Sequence, residues 1–137
     1  MIDHQVMTEF FTKEFPQANF ELEHLGEMSA SIRKKINKSH LRPGGTVSGP
    51  VMMELADAVL YVAILNEIGL VALAVTTNLN INFLRKPAAD RDIIAKCTLI
   101  KLGKTLAIGE VSIYSDGMSE PVAHAVGTYS IPPTRDN

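Results

Sequence analysis

The sequence lacks most of the features that would assign a chain at sight. Its one cysteine, Cys97, cannot form an internal disulfide, and it lies in an alternating strand-like run. That placement suits a buried structural thiol rather than a nucleophile, and a reducing, cytoplasmic setting. Thirteen Lys and Arg stand against fifteen Asp and Glu, for a net charge of −2, and the basic residues are scattered. With no basic patch there is no electrostatic footprint for nucleic acid, and with no polybasic segment there is none for a membrane surface. The opening stretch MIDHQVMTEFFTKEF carries acids and has no continuous apolar core. It is therefore expected to be neither a signal peptide nor a membrane span, and to stay on the mature protein. Metal-ligand spacing, a P-loop and a dinucleotide fingerprint are missing, as are repeats, low-complexity tracts and interdomain linkers.

What remains is 137 residues with 46% hydrophobic content, enough for a single domain spanning 1–137 that buries most of its apolar surface. Asp3 can cap a short helix over 4–15, with Val6, Phe10 and Phe11 on one face and Pro16 as its stop. Residues 19–24 and 27–34 read as strands, the second through the alternation of Met28, Ala30 and Ile32 with Ser29, Ser31 and Arg33. The clearest element is a long helix from Pro50 to Ile68, with Ser48 or Gly49 as N-cap, Pro50 in the first turn and Gly69 just past the end. Four strand-like segments follow, TNLNINFL, RDIIAKCTLIKL, TLAIGEVSIYS and MSEPVAHAVGTYSI, and suggest an antiparallel meander. In the third, the apolar parity slips from Leu106 and Ile108 to Val111 and Ile113, which places a bulge or bend at Gly109. Residues 132–137 read as a frayed tail.

The long helix is apolar nearly all round, so it reads as the axis of the domain, with a curved antiparallel sheet wrapped around it: an α+β architecture. Two acids, Glu54 and Asp57, interrupt it. Burying a carboxylate costs several kcal/mol unless it is paired or hydrogen-bonded. Either the two face a wet patch or a Lys or Arg partner, or one is held in a partly desolvated cleft where it can activate water or act as a nucleophile. Asp57, deeper in the helix, suits the second role better. The preceding PGGTVSGP either makes only a tight turn or delivers free N–H groups at a helix N-terminus, where a developing oxyanion is stabilised.

The segments GPVMMELADAVLYVA, TTNLNINFLRKPA and LGKTLAIGEVSIYSDG, in this order and spacing, resemble the hot-dog fold superfamily, and within it the PaaI-like acyl-CoA thioesterases. The resemblance runs from about 25 to 131. It implies that Asp57 is the general base or nucleophile and that the Gly49 N–H polarises the thioester carbonyl. The family's Asn, His and second Gly are here Arg42, Ser48 and Pro50. Ser48 keeps a hydrogen-bonding hydroxyl at the catalytic segment, and Arg42 can grip a carboxylate or phosphate. The resemblance also implies substrate-binding roles for Glu54, Thr76 and Thr77, and places Arg85, Lys86 and Lys104 near the CoA phosphates. No cofactor is expected beyond the CoA of the substrate itself. The expected partners are acyl-CoA and further copies of the chain, as a dimer or tetramer, with no nucleic acid and no membrane.

Two alternatives accompany this reading. β-Hydroxyacyl thioester dehydratases of the same superfamily use a His and a Glu fourteen positions apart, the separation of His40 and Glu54. The loss of the family's Asn and His also fits a degenerate domain that binds acyl-CoA, or only dimerises.

Overall fold

The computed structural model describes residues 2–16, 19–70 and 74–133. Helix α1 (His4–Glu14) is followed by strands β1 (Glu21–Gly26) and β2 (Ser29–Lys34). A 3-10 turn (Lys38–His40) and a small hairpin of β3 (Leu41–Arg42) and β4 (Thr46–Val47) lead into the long helix α2 (Gly49–Ile68). Strands β5 (Val75–Phe83), β6 (Ile93–Leu102), β7 (Leu106–Ser115) and β8 (Ala123–Ser130) complete the chain. The six long strands form one antiparallel sheet in the order β1-β2-β6-β7-β8-β5. Of the expected tail, residues 134–137 lie outside the described residues.

The meander holds for β6, β7 and β8, with three residues between the first two strands and seven, 116–122, between the last two, but β5 departs from it. Nine residues separate β5 from β6, from Leu84 to Asp92, and β5 crosses to the far edge to pair with β8. A connection of that length does not hold two strands in register as a two-residue turn does.

α2 is the axis. From Val59 to Asn66 every residue is buried, and the sheet curves around it. Its rotation is set by Leu60, which is wholly buried and stands over a cross-strand pair of glycines, Gly109 on β7 and Gly127 on β8. A Cβ at Gly109 would lie 2.3 Å from Leu60 Cδ1, and one at Gly127 would lie 2.5 Å from Leu60 Cδ2. The two glycines therefore form a socket that larger residues would fill. The parity slip read at Gly109 is this socket and not a bend in β7. Ala107, Gly109, Val111 and Ile113 all face the helix, while Leu106 points outward. The bulge lies in the partner strand, where the pairing passes from Leu99 to Lys101 and leaves Ile100 extra and exposed.

α1 begins as expected, with Asp3 accepting from the N–H groups of Gln5 and Val6. Its buried face is carried by Met7 and Phe11, four residues apart, while Val6 is 44% exposed, so the expected Val6 face is corrected by one position. The helix lies over β1 and the start of the chain is tied to the end of α2, because the Ile2 N–H donates to Asn66 Oδ1 at 3.0 Å. Gly69, at φ 99°, closes α2 in a conformation that favours glycine. Cys97 is buried, as expected, and burial followed by the charge of Glu110 pushes its thiol up to about 12.

Gly109→Ala should destabilise the fold by about 1–3 kcal/mol, the usual cost of overpacking. In urea unfolding, combining it with Leu60→Ala should cost clearly less than the sum of the two single changes, because the second change removes the clash made by the first. Additive losses would show that Leu60 and Gly109 do not share one socket.

Candidate functional site

Asp57 is half-buried in the third turn of α2, and two hydroxyls converge on one of its oxygens. Thr76 donates to Oδ1 at 2.6 Å and Tyr129 donates to the same atom at 2.9 Å. The Tyr129 hydroxyl also lies 3.2 Å from the Asp57 carbonyl oxygen. Thr76 and Tyr129 are direct cross-strand partners on β5 and β8, so both side chains leave the same face of the sheet. Just beyond them the register shifts between Thr76 and Asn78, which leaves Thr77 as the extra residue, with its hydroxyl on the Thr128 carbonyl at 3.3 Å. The bulge thus separates the two threonines: Thr76 meets the acid and Thr77 does not.

Among the described residues no hydrogen bond reaches Asp57 Oδ2. Burial first, and then the negative charge of Asp57, pushes the Tyr129 hydroxyl up from its ordinary value, so it stays protonated and remains a donor. Hydroxyl-to-carboxylate bonds of this length are charge-assisted and hold the carboxylate in one orientation. Glu54, Asp57, Ala58 and Tyr61 share one helix face and line a cavity of about 340 Å³ together with Phe11, Phe15, Ala74, Val75, Thr76 and Tyr129.

The helix start lies elsewhere. Ser48 is the N-cap, in extended backbone, with no capping bond from its side chain, and its N–H donates to the His40 carbonyl at 2.9 Å. Among the described residues nothing accepts from the Gly49 N–H, and Pro50 has none to give. The preceding turn is the β3–β4 hairpin, closed by the Gly45 N–H on the Arg42 carbonyl, with Gly44 and Gly45 at φ 103° and 79°. Gly49 and Arg42 line a second cavity, of about 500 Å³, with Phe83, Arg85 and Lys86. The Arg85 guanidinium donates to the Pro121 carbonyl, while Arg42 and Lys86 are exposed.

The residues expected at the site therefore fall into two groups in one chain. Glu54, Asp57 and Thr76 meet in the first cavity, and Arg42, Gly49, Arg85 and Lys86 meet in the second. Asp57 lies eight positions after Gly49 on α2, a rise of about 12 Å. Ser48 and Thr77 line neither cavity. Lys104 also lines neither, and stands in the β6–β7 turn, at the end of the sheet opposite Arg85. Tyr129 was missed by the sequence reading. Its only signal there is an aromatic residue in the last strand, and its contact with Asp57 spans 72 positions.

His40 is occupied in its own turn. Its Nδ1 accepts from the Asn37 N–H at 2.9 Å, and Asn37 Oδ1 accepts in return from the Ser39 N–H at 2.8 Å, which caps the 3-10 turn. It lines no cavity with Glu54. Among the described residues no group of His, Cys, Asp and Glu is placed to hold a metal ion, and no helix is long and apolar enough to cross a membrane.

A long buried helix wrapped by one six-stranded antiparallel sheet is the hot-dog fold. The model of the thioesterase superfamily matches residues 44–122, more than half of the chain, and the chain belongs to that family. A candidate thioesterase from Silicibacter sp. TM1040 superposes with a TM-score of 0.90 at 43% identity, covering 97% of this chain and 94% of that one. Zebra fish thioesterase superfamily member 2 gives a TM-score of 0.85 at 21% identity, over 96% of this chain and 100% of that one. The E. coli PaaI protein from the phenylacetic acid degradation operon gives 0.75 at 20% identity, over 93% and 91%. The last two show the fold alone. No curated protein matches the sequence. The family supports a thioester hydrolase in general.

Burial, and then the charge of Lys34, lowers the pKa of His40 below its usual 6.5, against a weaker opposing pull from Glu54. A depressed histidine binds fewer protons folded than unfolded, so its contribution to stability is present above about 6.5 and is lost as pH falls towards the lower folded value. An NMR titration should find the His40 ring titrating below 6.5, with the Asn37 amide moving at the same midpoint as its acceptor is protonated. A midpoint above 6.5 would contradict the assigned environment.

Proposed function

We propose that the protein is a cytoplasmic acyl-CoA thioesterase in which Asp57 is the general base or nucleophile. The observation that carries the reading is the double hydrogen bond to Asp57 Oδ1, which orients the carboxylate beside a largely apolar cavity and leaves Oδ2 to act. As a base, Oδ2 takes a proton from water, which attacks the thioester carbonyl; the C–S bond then breaks, the proton held on Asp57 passes to the departing sulfur, and CoA leaves as the thiol with the acyl group released as the acid. The developing oxyanion is met by the Gly49 N–H at the start of α2, where the helix dipole adds to the hydrogen bond. Ser48 stands beside it, its hydroxyl making no capping bond. Arg42 and Lys86 supply positive charge for the CoA phosphates, with Arg85 alongside. The CoA moiety is part of the substrate, and no further cofactor enters.

One chain cannot present Asp57 and Gly49 to the same carbonyl, because they stand about 12 Å apart along one helix. The reading therefore requires a second copy, with Asp57 of one chain meeting Gly49 of the other. β5 is the edge that supports such pairing: its outer side is unpaired in the sheet, and Val75 and Phe83, at its two ends, are 55% and 50% exposed. An open edge of this length is a template for another strand.

The dehydratase alternative has less support, since His40 is committed to Asn37 and shares no cavity with Glu54. The degenerate-domain alternative is separated by activity. Across a panel of acyl-CoA thioesters, Asp57→Asn should lower kcat by about 10²–10⁴-fold while the protein stays folded, the range for a lost general base. Full retention of activity would remove Asp57 from the chemistry. Tyr129→Phe should lower kcat by about 10–100-fold with little change in KM, since a hydrogen bond to a charged group contributes about 1.5–3 kcal/mol. Light scattering at micromolar concentration should give at least a dimer mass, and a monomer that hydrolyses acyl-CoA would rule out the shared site.

A further inference from the structure

The cavity at Asp57 is lined in part by residues that lie outside the segment shared with the family. The family match covers 44–122, whereas Phe11 and Phe15 belong to α1 and its C-cap and Tyr129 to β8. Their rings make one connected wall. Phe11 and Phe15 each meet Tyr61 edge-on, with centroids 5.6 and 5.5 Å apart, and Tyr61 stacks on Tyr129 at 5.5 Å with an interplanar angle of 15°. Phe11 and Phe15 also touch each other, with centroids 5.5 Å apart. Such pairs prefer these offset and edge-on geometries, and each adds about 0.5–1.5 kcal/mol beyond the area it buries. α1, which carries Phe11, is anchored through the wholly buried Met7 and through the Ile2–Asn66 hydrogen bond just before it.

At about 340 Å³ the cavity is near the lower end of the range for small-ligand pockets, roughly 300–1,000 Å³. Of its lining, Glu54 and Thr76 are exposed, Asp57 and Phe15 are half-buried, and Phe11, Tyr61, Tyr129 and Ala74 are buried. An acyl group whose carbonyl sits at Asp57 would therefore run its tail onto the rings.

We infer that Phe15, backed by Phe11, is an end stop that limits acyl size, and that α1 is the element through which this chain sets its specificity. The substrates are acyl-CoA thioesters with compact acyl groups rather than long fatty chains. This rests on the thioesterase reading above. Phe15 is the residue to alter, because it is half-buried at the C-cap, whereas Phe11 is 6% exposed and belongs to the core.

The test is the hydrolysis of butyryl-, hexanoyl-, octanoyl- and decanoyl-CoA by the wild-type protein, Phe15→Ala and Phe15→Trp. Wild-type kcat/KM should fall with length. Phe15→Ala should raise the octanoyl-to-butyryl ratio by about tenfold or more, since one methylene of fit is worth about that much, and Phe15→Trp should lower it. A ratio unchanged in both variants would overturn the end stop. The same length preference should appear calorimetrically in the binding of butyryl- and octanoyl-CoA to Asp57→Asn, and should shift in Asp57→Asn/Phe15→Ala. If the wild type hydrolyses none of the four, the thioesterase reading fails and binding alone decides. A shifted preference then supports the end stop, and an unshifted one, or no binding, overturns it.

Discussion

The arrangement depends on one fit, the Leu60 side chain in the socket left by Gly109 and Gly127. From Val59 to Asn66 the helix is buried on every side and has no polar face to orient it, so its rotation there has to be fixed by shape. The glycine pair does this by letting the sheet approach the helix more closely at one point than any side chain would allow. With Leu60 turned to β7 and β8, the face carrying Glu54, Asp57, Ala58 and Tyr61 is turned towards α1 and the β5–β8 edge. The acid, its two hydroxyl donors and the aromatic wall then meet without any further device. Close packing of this kind tolerates little change of volume, which makes the helix a rigid reference for both cavities.

What the sequence revealed and concealed follows from how local each signal is. α2 was legible to within a residue because its start and stop are marked by Ser48, Pro50 and Gly69. β6 and β7 were legible because alternation and a short turn are properties of neighbouring residues, while the last strand, expected from Met118, begins only at Ala123, since residues 118–122 form the connection. The place of β5 was not, since nothing within a strand says which edge it joins after a nine-residue connection. The bulge shows the same limit. A sequence records the parity of each strand separately, and the extra residue, Ile100, was in the partner of the strand that drew attention.

The site was legible in the same uneven way. Asp57 stood out because an acid in an apolar helix is costly, and Thr76 was among the residues singled out. Tyr129 did not stand out, because a tyrosine at the end of a strand is ordinary until the pairing of β5 with β8 sets it opposite Thr76. Likewise, the sequence placed Gly49 and Asp57 in one motif, and the helix that joins them is what keeps them apart within a chain. Motif spacing does not say whether two residues serve the same active site or two sites related by symmetry.

Tyr129 belongs to two structures at once. Its ring face is part of the wall stacked on Tyr61, and its hydroxyl holds Asp57 Oδ1. Pressure on the ring and orientation of the carboxylate are therefore mechanically linked through six atoms of rigid phenol. An acyl group that fits badly would tilt the ring and disturb the acid that acts on its carbonyl. On the thioesterase reading, discrimination between acyl groups would then be felt in turnover as well as in occupancy, with the wall acting as a gauge and the phenol as its pointer.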